Sequence, residues 1–346
     1  MTCVSPASKE RRQGGKESQR MNATRSEFPA NRFGMAALGI FVGGTYLLPT
    51  LLPSIMGWLY SLLGLPVFFV LMAAGRKKGT VIIRNGLFLA GLCALLLERM
   101  EIFLFSLTML PLGFTYQGCA DRGESPASSG GRGVMVLVLS WLVFWVLLAT
   151  LEEINPYRQL LALLDAGFAS TYEMYAKEAE LPLEYLLNLE ETIHQIRAFL
   201  PRIMPGLIAC MLVFTAWMNL VGSSRLLRTY WPERPGWPPY REWTLPDQLV
   251  WVAIIAGILS VLTDGFFQDM GISLLMLSGL LYCLQGFAVF LSFLYRWNTP
   301  LFLRLGLYIL LLFQAYYSLL LLAIVGVADV WADFRKLNQT KKTPEQ

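Results

Sequence analysis

Gln285 lies inside LYCLQGFAVF, an apolar run at residues 281–290, directly before Gly286. A primary amide carries two N–H donors and an oxygen acceptor. The surrounding side chains can engage none of them. Asn219 in FTAWMNLVG and Gln314 in LLFQAYY share this situation. Two chemistries fit the pattern. Amides in an oily setting can hydrogen-bond one another across helices, each bond contributing about 0.6 kcal/mol on average in a membrane. Alternatively the three converge and line a binding cavity together with Tyr282, Tyr316 and Tyr317. Gly286 lets a neighbouring backbone approach closely enough for either arrangement.

Other reactive groups are sparse. Glu98 and Glu101 in LLLERMEIF, and Asp264 and Asp269 in TDGFFQDMG, stand at the ends of apolar runs. A carboxylate inside a membrane is a functional candidate, whereas one in a solvated loop is not. The cysteines, Cys3, Cys93, Cys119, Cys210 and Cys283, form no C-x-x-C pair, so neither a metal knuckle nor a disulfide framework is expected. The single histidine, His194, belongs to no metal-binding pattern. The chain carries no phosphate-cradling P-loop, no dinucleotide fingerprint and no G-x-S-x-G elbow. No catalytic residue, metal or cofactor is therefore expected, and no enzyme activity. The net charge of +4 comes without an aromatic-interleaved basic face, so nucleic acid is not expected as a partner.

These residues are positioned by apolar helices. Hydrophobic residues make up 55% of the chain and charged residues 15%, against about 25% charged in an ordinary soluble domain. The excess is concentrated in blocks such as GVMVLVLSWLVFWVLLAT (133–150), close to the roughly 20 helical residues that cross a hydrocarbon core. The fold class expected is all-α, a polytopic membrane helix bundle. Spans are expected near 33–49, 54–74, 80–97, 102–116, 134–151, 203–222, 248–264, 271–295 and 302–328. The stretch 102–116 is short and contains Pro111, so the count is eight or nine. Basic residues in the N-terminal segment and in GRKKG (75–79) place the N-terminus on the cytoplasmic side. The Lys/Arg balance does not distinguish eight spans from nine.

Residues 1–32 read as a disordered basic cytoplasmic tail, 33–336 as a single membrane domain, and 337–346 as a polar C-terminal tail. Within the domain, 152–202 is rich in acids and carries apolar residues at helical spacing (Leu160, Leu161, Leu164, Phe168, Tyr172). It is expected to be an amphipathic helical hairpin outside the hydrocarbon, its second helix starting near Pro182. The loop 224–246, rich in Trp, Tyr, Arg and Pro, belongs at headgroup level. The segment 117–133 reads as a flexible linker. Gly39 and Gly43 form G-x-x-x-G, which marks a face for helix packing or for docking a partner.

Four segments, LPDQLVW (245–251), LYCLQGFAVF (281–290), RWNTPLFLR (296–304) and GVADVWADFRK (326–336), occur in this order. Together they resemble the YybS-like family of predicted bacterial membrane proteins, a domain of unknown function. The resemblance implies a multi-pass protein of the bacterial inner membrane without assigned catalytic residues. More weakly, residues 36–97 resemble the early helices of substrate-capture subunits in energy-coupling-factor transporters, which dock through small residues spaced by four. The leading functional expectation is a small-molecule binding or transport module. It would use Gln285, Asn219, Gln314, Tyr282 and Tyr316 for the ligand, and Gly39, Gly43 and Gly286 for packing or docking. Its surroundings would be the lipid bilayer and a membrane protein partner. The alternative is a non-catalytic scaffold or assembly factor with 152–202 as the partner surface.

Overall fold

The computed structural model describes residues 34–152, 155–176, 183–332, 334 and 335. The expected tails, 1–32 and 337–346, lie outside the described residues. The described chain is helical, with no strand. It forms two compact units, 1–117 and 118–346.

The first unit contains α1 (Met35–Leu51), α2 (Pro53–Met56), α3 (Gly64–Ala74), α4 (Arg76–Leu96), α5 (Met100–Leu107) and most of α6 (Leu110–Asp121). Pro49 lies inside α1, and Pro53 opens α2. The chain bends by 109° between α1 and the 53–62 segment, because a proline supplies no N–H and disfavours helix in the residue before it. Gly75 turns the chain between α3 and α4 with φ 75° and ψ 160°, a conformation open to glycine. A methyl group placed on Gly79 would lie 3.1 Å from Leu71 Cα, so α3 and α4 double back as a hairpin with Arg76, Lys77 and Lys78 at its turn.

The Gly39/Gly43 face is used within the chain. A Cβ on Gly43 would meet the Gly86 carbonyl oxygen of α4 at 2.7 Å, and one on Gly86 would collide with the Gly39 carbonyl. The core of this unit is Val42, Tyr46, Val67, Phe68 and Ile83, all nearly inaccessible. Tyr46 Oη donates to Leu63 O at 3.2 Å.

The second unit continues with α7 (Pro126–Glu152), α8 (Pro156–Ala176), α9 (Leu183–Tyr230), α10 (Leu249–Leu262), α11 (Phe266–Arg296), α12 (Leu301–Phe313) and α13 (Ala315–Ala332). The segment 117–133 is not a flexible linker. It is helical up to Asp121 and again from Pro126. Proline is pre-organised for a first helical turn. Glu124 in the connection pairs with Arg122 Nε at 2.5 Å and Arg132 at 2.9 Å. Those contacts hold the Glu124 carboxyl below its ordinary value, chiefly through the hydrogen bond from Arg122.

The amphipathic hairpin forms, with a difference. Arg197 Nε meets Asp165 Oδ1 at 2.7 Å, and Tyr157 Oη donates to Pro201 O at 3.0 Å. Its second helix does not end before the next span, however. It runs on as one 48-residue helix through Pro201 and Pro205, about 72 Å long at 1.5 Å per residue.

Among the described residues, six helical stretches are long and apolar enough to cross a membrane, and seven if α1 with its bent continuation counts as one span. This is fewer than the eight or nine expected. The α10 helix has 14 residues and α12 has 13, about 20 Å each, short of a core about 30 Å thick. The expected span 302–328 is broken at Gln314, whose φ of −100° and ψ of 40° end α12.

The closest helix crossing in the second unit joins α11 to α13. A Cβ on Gly286 would overlap the Leu322 carbonyl, and one on Gly326 the Tyr282 carbonyl. Gly286→Leu is therefore expected to force these helices apart. Overpacking typically costs about 1–3 kcal/mol, and a lowered melting temperature in detergent should report it. Gly257→Ala, with open space at its Cβ inside α10, should leave the melting temperature unchanged or slightly raised, since alanine favours helix over glycine. Glu124 gives a second expectation with a definite sign. Its folded pKa lies below its unfolded value of about 4.3, so its contribution is present above that pH and is lost as the pH falls through the folded value. Between pH 7 and 3 the melting temperature of Glu124→Gln should fall less than that of the wild type.

Candidate functional site

Within the second unit, α9 and α11 run side by side in the same direction. Gly206 packs on Ser273. Further along, the Tyr240 ring lies 5.3 Å from the Trp217 ring and 6.2 Å from Phe287. The stretch from Trp217 to Tyr230 covers about 20 Å of helix. The chain leaves α9 at Tyr230, yet by Tyr240 it is again beside Trp217. Residues 231–248 therefore fold back down along α9. Gly236 sits against Leu227, Trp237 Nε1 donates to Ser129 Oγ at 2.9 Å, and Tyr240 Oη donates to Leu284 O. The short α10 then continues in the same sense, with Ser260 against Gly271 of α11.

The expected loop 224–246 is helical as far as Tyr230, and the remainder folds back along α9. Arg225 marks the polar end of α9, and Tyr240 lies about 12 Å inside it by helix rise. The segment folds back along the helices of the second unit. Irregular backbone at that depth persists only where protein satisfies its polar groups, and the sequence supplies the means. Pro232, Pro235, Pro238 and Pro239 present no N–H to satisfy. Glu242 N donates to Pro239 O and Trp243 N to Tyr240 O. Leu245 N donates to Gln285 Oε1 at 3.3 Å. The carbonyls of Arg241 and Trp243 both accept from Arg335 Nη1, at 3.0 and 2.8 Å.

Arg335 is held in turn by Asp329. Its Nη2 lies 2.6 Å from Asp329 Oδ2, with the two side chains 2% and 4% exposed. Gln285 Nε2 donates to the same carboxylate oxygen at 3.1 Å. One amide thus bridges the folded-back backbone on one side and a buried ion pair on the other. Arg241 points its guanidinium over the Tyr295 ring, 3.6 Å from the centroid, which carries the charge towards the polar end of α11.

Beside this cluster lies a half-open cleft of about 340 Å³. Its walls are the first turns of α7 (Pro126 to Val134), α9 from Val213 to Leu220, the folded-back residues Tyr240 to Leu249, and α11 from Leu281 to Ala288. The volume falls in the range of small-molecule sites.

Of the five residues expected to line a ligand site, the structure puts Gln285 on the cleft. Asn219 is fully buried on α9, and its Nδ2 donates to Thr215 O of its own helix at 2.9 Å. Tyr282 is buried where α11 crosses α13. Gln314 is exposed at the α12–α13 break, and Tyr316 is 79% exposed on α13. The three amides do not converge, because Gln314 marks a helix end rather than a buried face. The four candidate carboxylates divide as well. Glu98 and Glu101 are exposed at the start of α5, and Asp264 and Asp269 flank the α10–α11 turn.

Asp329, Arg335, Trp217, Tyr240 and Trp243 were not singled out. A lone aspartate in the apolar stretch GVADVW was the available signal. Three of the four quoted family segments meet here, through Leu245, Gln285, and Asp329 with Arg335.

The family model described as "Predicted membrane protein (DUF2232)" matches residues 42–330, and the YybS-like family is a member of DUF2232. No curated protein and no solved structure matches the chain, and the likeness of residues 36–97 to energy-coupling-factor subunits finds no support.

Breaking a buried ion pair by removing one partner costs about 3–5 kcal/mol. Arg335→Ala also strips two backbone carbonyls of their donor, so it should destabilise more than Asp329→Asn, which keeps an oxygen acceptor. Hydrogen exchange in detergent should show the Arg335→Ala loss concentrated at residues 240–246.

Proposed function

We propose that this chain, which belongs to the DUF2232 family of predicted membrane proteins, is a small-molecule-binding module of the membrane that holds its ligand in the cleft beside Gln285. One observation carries this reading: a cleft of about 340 Å³ with one wall built from the irregular backbone of residues 240–249. Discontinuous helices and irregular backbone at membrane depth are a recurrent way of building substrate sites in transporters. We extend the proposal to a protein of the bacterial inner membrane with its N-terminus in the cytoplasm and no catalytic residues of its own. Transport would then require a partner or an ion gradient.

A second reading, an assembly scaffold, draws on the α8–α9 hairpin. Leu163, Met174, Leu187 and Phe199 are 49–67% exposed there, on helices that extend beyond the apolar part of α9.

The discriminating variant is Gly131→Leu. Gly131 lines the cleft, and a Cβ there meets open space, so the side chain occupies the cleft without disturbing the helix. Purified protein in nanodiscs is screened by thermal shift against vitamins, nucleosides, amino acids and chain-bearing amphiphiles. A ligand at 100 times its Kd contributes about 2.7 kcal/mol. At least one class should raise the wild-type melting temperature and leave that of Gly131→Leu unchanged. Equal stabilisation of both proteins, or of neither, would overturn the reading.

A further inference from the structure

We infer that the ligand of this cleft is the hydrocarbon chain of an amphiphile, acyl or isoprenoid, rather than a polar metabolite. The inference rests on the reading of the cleft as a ligand site and names its ligand class. No charged side chain lines the cleft, and most of its polar atoms are already engaged. The Gln285 amide is bound at both ends, by Leu245 N and Asp329 Oδ2. The Tyr240 hydroxyl is donated to Leu284 O, and the Trp243 indole N–H to Pro238 O at 2.7 Å. What remains is the Trp217 indole N–H, the Thr244 hydroxyl and hydrocarbon.

That set can meet two or three polar atoms of a guest at most. A sugar, nucleoside or amino acid would bring several donors and acceptors, and each left without a partner in an apolar site costs the full desolvation of that group. A chain brings none. The walls suit it: they include the flat rings of Trp217, Tyr240 and Trp243 and the bare backbone of Gly130 and Gly131 on α7. The Gln285 amide, chosen from the sequence as the ligand's hydrogen-bonding partner, is committed to the protein itself.

The test uses full-length protein in nanodiscs with a diazirine-bearing palmitate as photoprobe. Labelled peptides are mapped by mass spectrometry. Unlabelled palmitate and farnesol serve as separate competitors, to distinguish an acyl from an isoprenoid source. The exposed faces of α13, such as Leu319–Leu321, report ordinary lipid contact as an internal reference. Labelling of 213–220 and 240–249 should be saturable and competed by one of the two chains. It should drop at least fivefold in Gly131→Leu, while labelling of α13 is unchanged. Val213→Phe, which fills the cleft from α9, provides the same comparison if Gly131→Leu fails to give folded protein. Cleft labelling that neither competitor reduces, or label confined to lipid-facing positions, would overturn the inference. If instead a vitamin, nucleoside or amino acid stabilises the wild type and not Gly131→Leu, the ligand class is wrong while the cleft remains a binding site.

Discussion

The second unit is organised by one constraint: every backbone polar group that leaves a helix below the membrane surface needs a partner from the protein. Residues 231–248 run back along α9 with a single 3-10 turn at Tyr240–Glu242 as their regular structure, so most of their carbonyls and amides must be met one by one. Five prolines, Pro232, Pro235, Pro238, Pro239 and Pro246, reduce the donors. One arginine takes two carbonyls at once, which its planar fork of donors allows and an ammonium does less well. One glutamine takes an amide. Arg335 could not be placed there alone, since an isolated buried cation is costly, so Asp329 neutralises it. Gln285 then satisfies part of the carboxylate. The chain of dependence runs from irregular backbone to arginine, from arginine to aspartate, and from aspartate to glutamine.

That cluster depends on how closely two helices approach. Aspartate has a short side chain, and it meets Gln285 across the α11–α13 interface at 3.1 Å. Gly286 and Gly326 bring the backbones into contact at the adjacent turn. In lipid no hydrophobic drive pulls such helices together, and close packing of small residues substitutes for it. The glycine beside the glutamine is therefore what allows the glutamine to reach.

Much of this was legible in sequence. Apolar blocks of helical length declared a membrane bundle, and the G-x-x-x-G face in α1 proved to be an intramolecular crossing with α4. Gln285 was identified as an amide that must have a purpose. The rest was hidden for physical reasons. The aromatic and proline content of 231–246 fits a headgroup loop and a folded-back segment equally, because both place amphipathic rings between oil and polar groups. Gln314 resembled Gln285 in local composition, but it lies at a helix break, and hydropathy does not report where a helix ends. Asp329 stands in GVADVW near the end of the last apolar run, where an aspartate reads as a solvated terminus. Its role depends on Arg335, and that contact follows from the turn after α13 rather than from any periodicity.

The cluster and the cleft divide the available chemistry between them. Polar groups in an apolar bundle are scarce, and here Gln285, Asp329 and Arg335 are spent on holding the folded-back segment. The cleft that this segment closes is consequently left with shape and aromatic surface as its means of discrimination. A site of that kind excludes guests whose polar groups it cannot meet and separates hydrocarbon chains by length and branching, a missing methylene in an apolar pocket changing affinity by about 1–3 kcal/mol. Rigidity of the wall then matters, because a loose wall would blur shape selection. The Asp329–Arg335 pair supplies it, fixing two carbonyls of the wall against α13. A buried ion pair is weak evidence for net stability, and in this setting its effect is to select one position of the segment among those an apolar contact would permit.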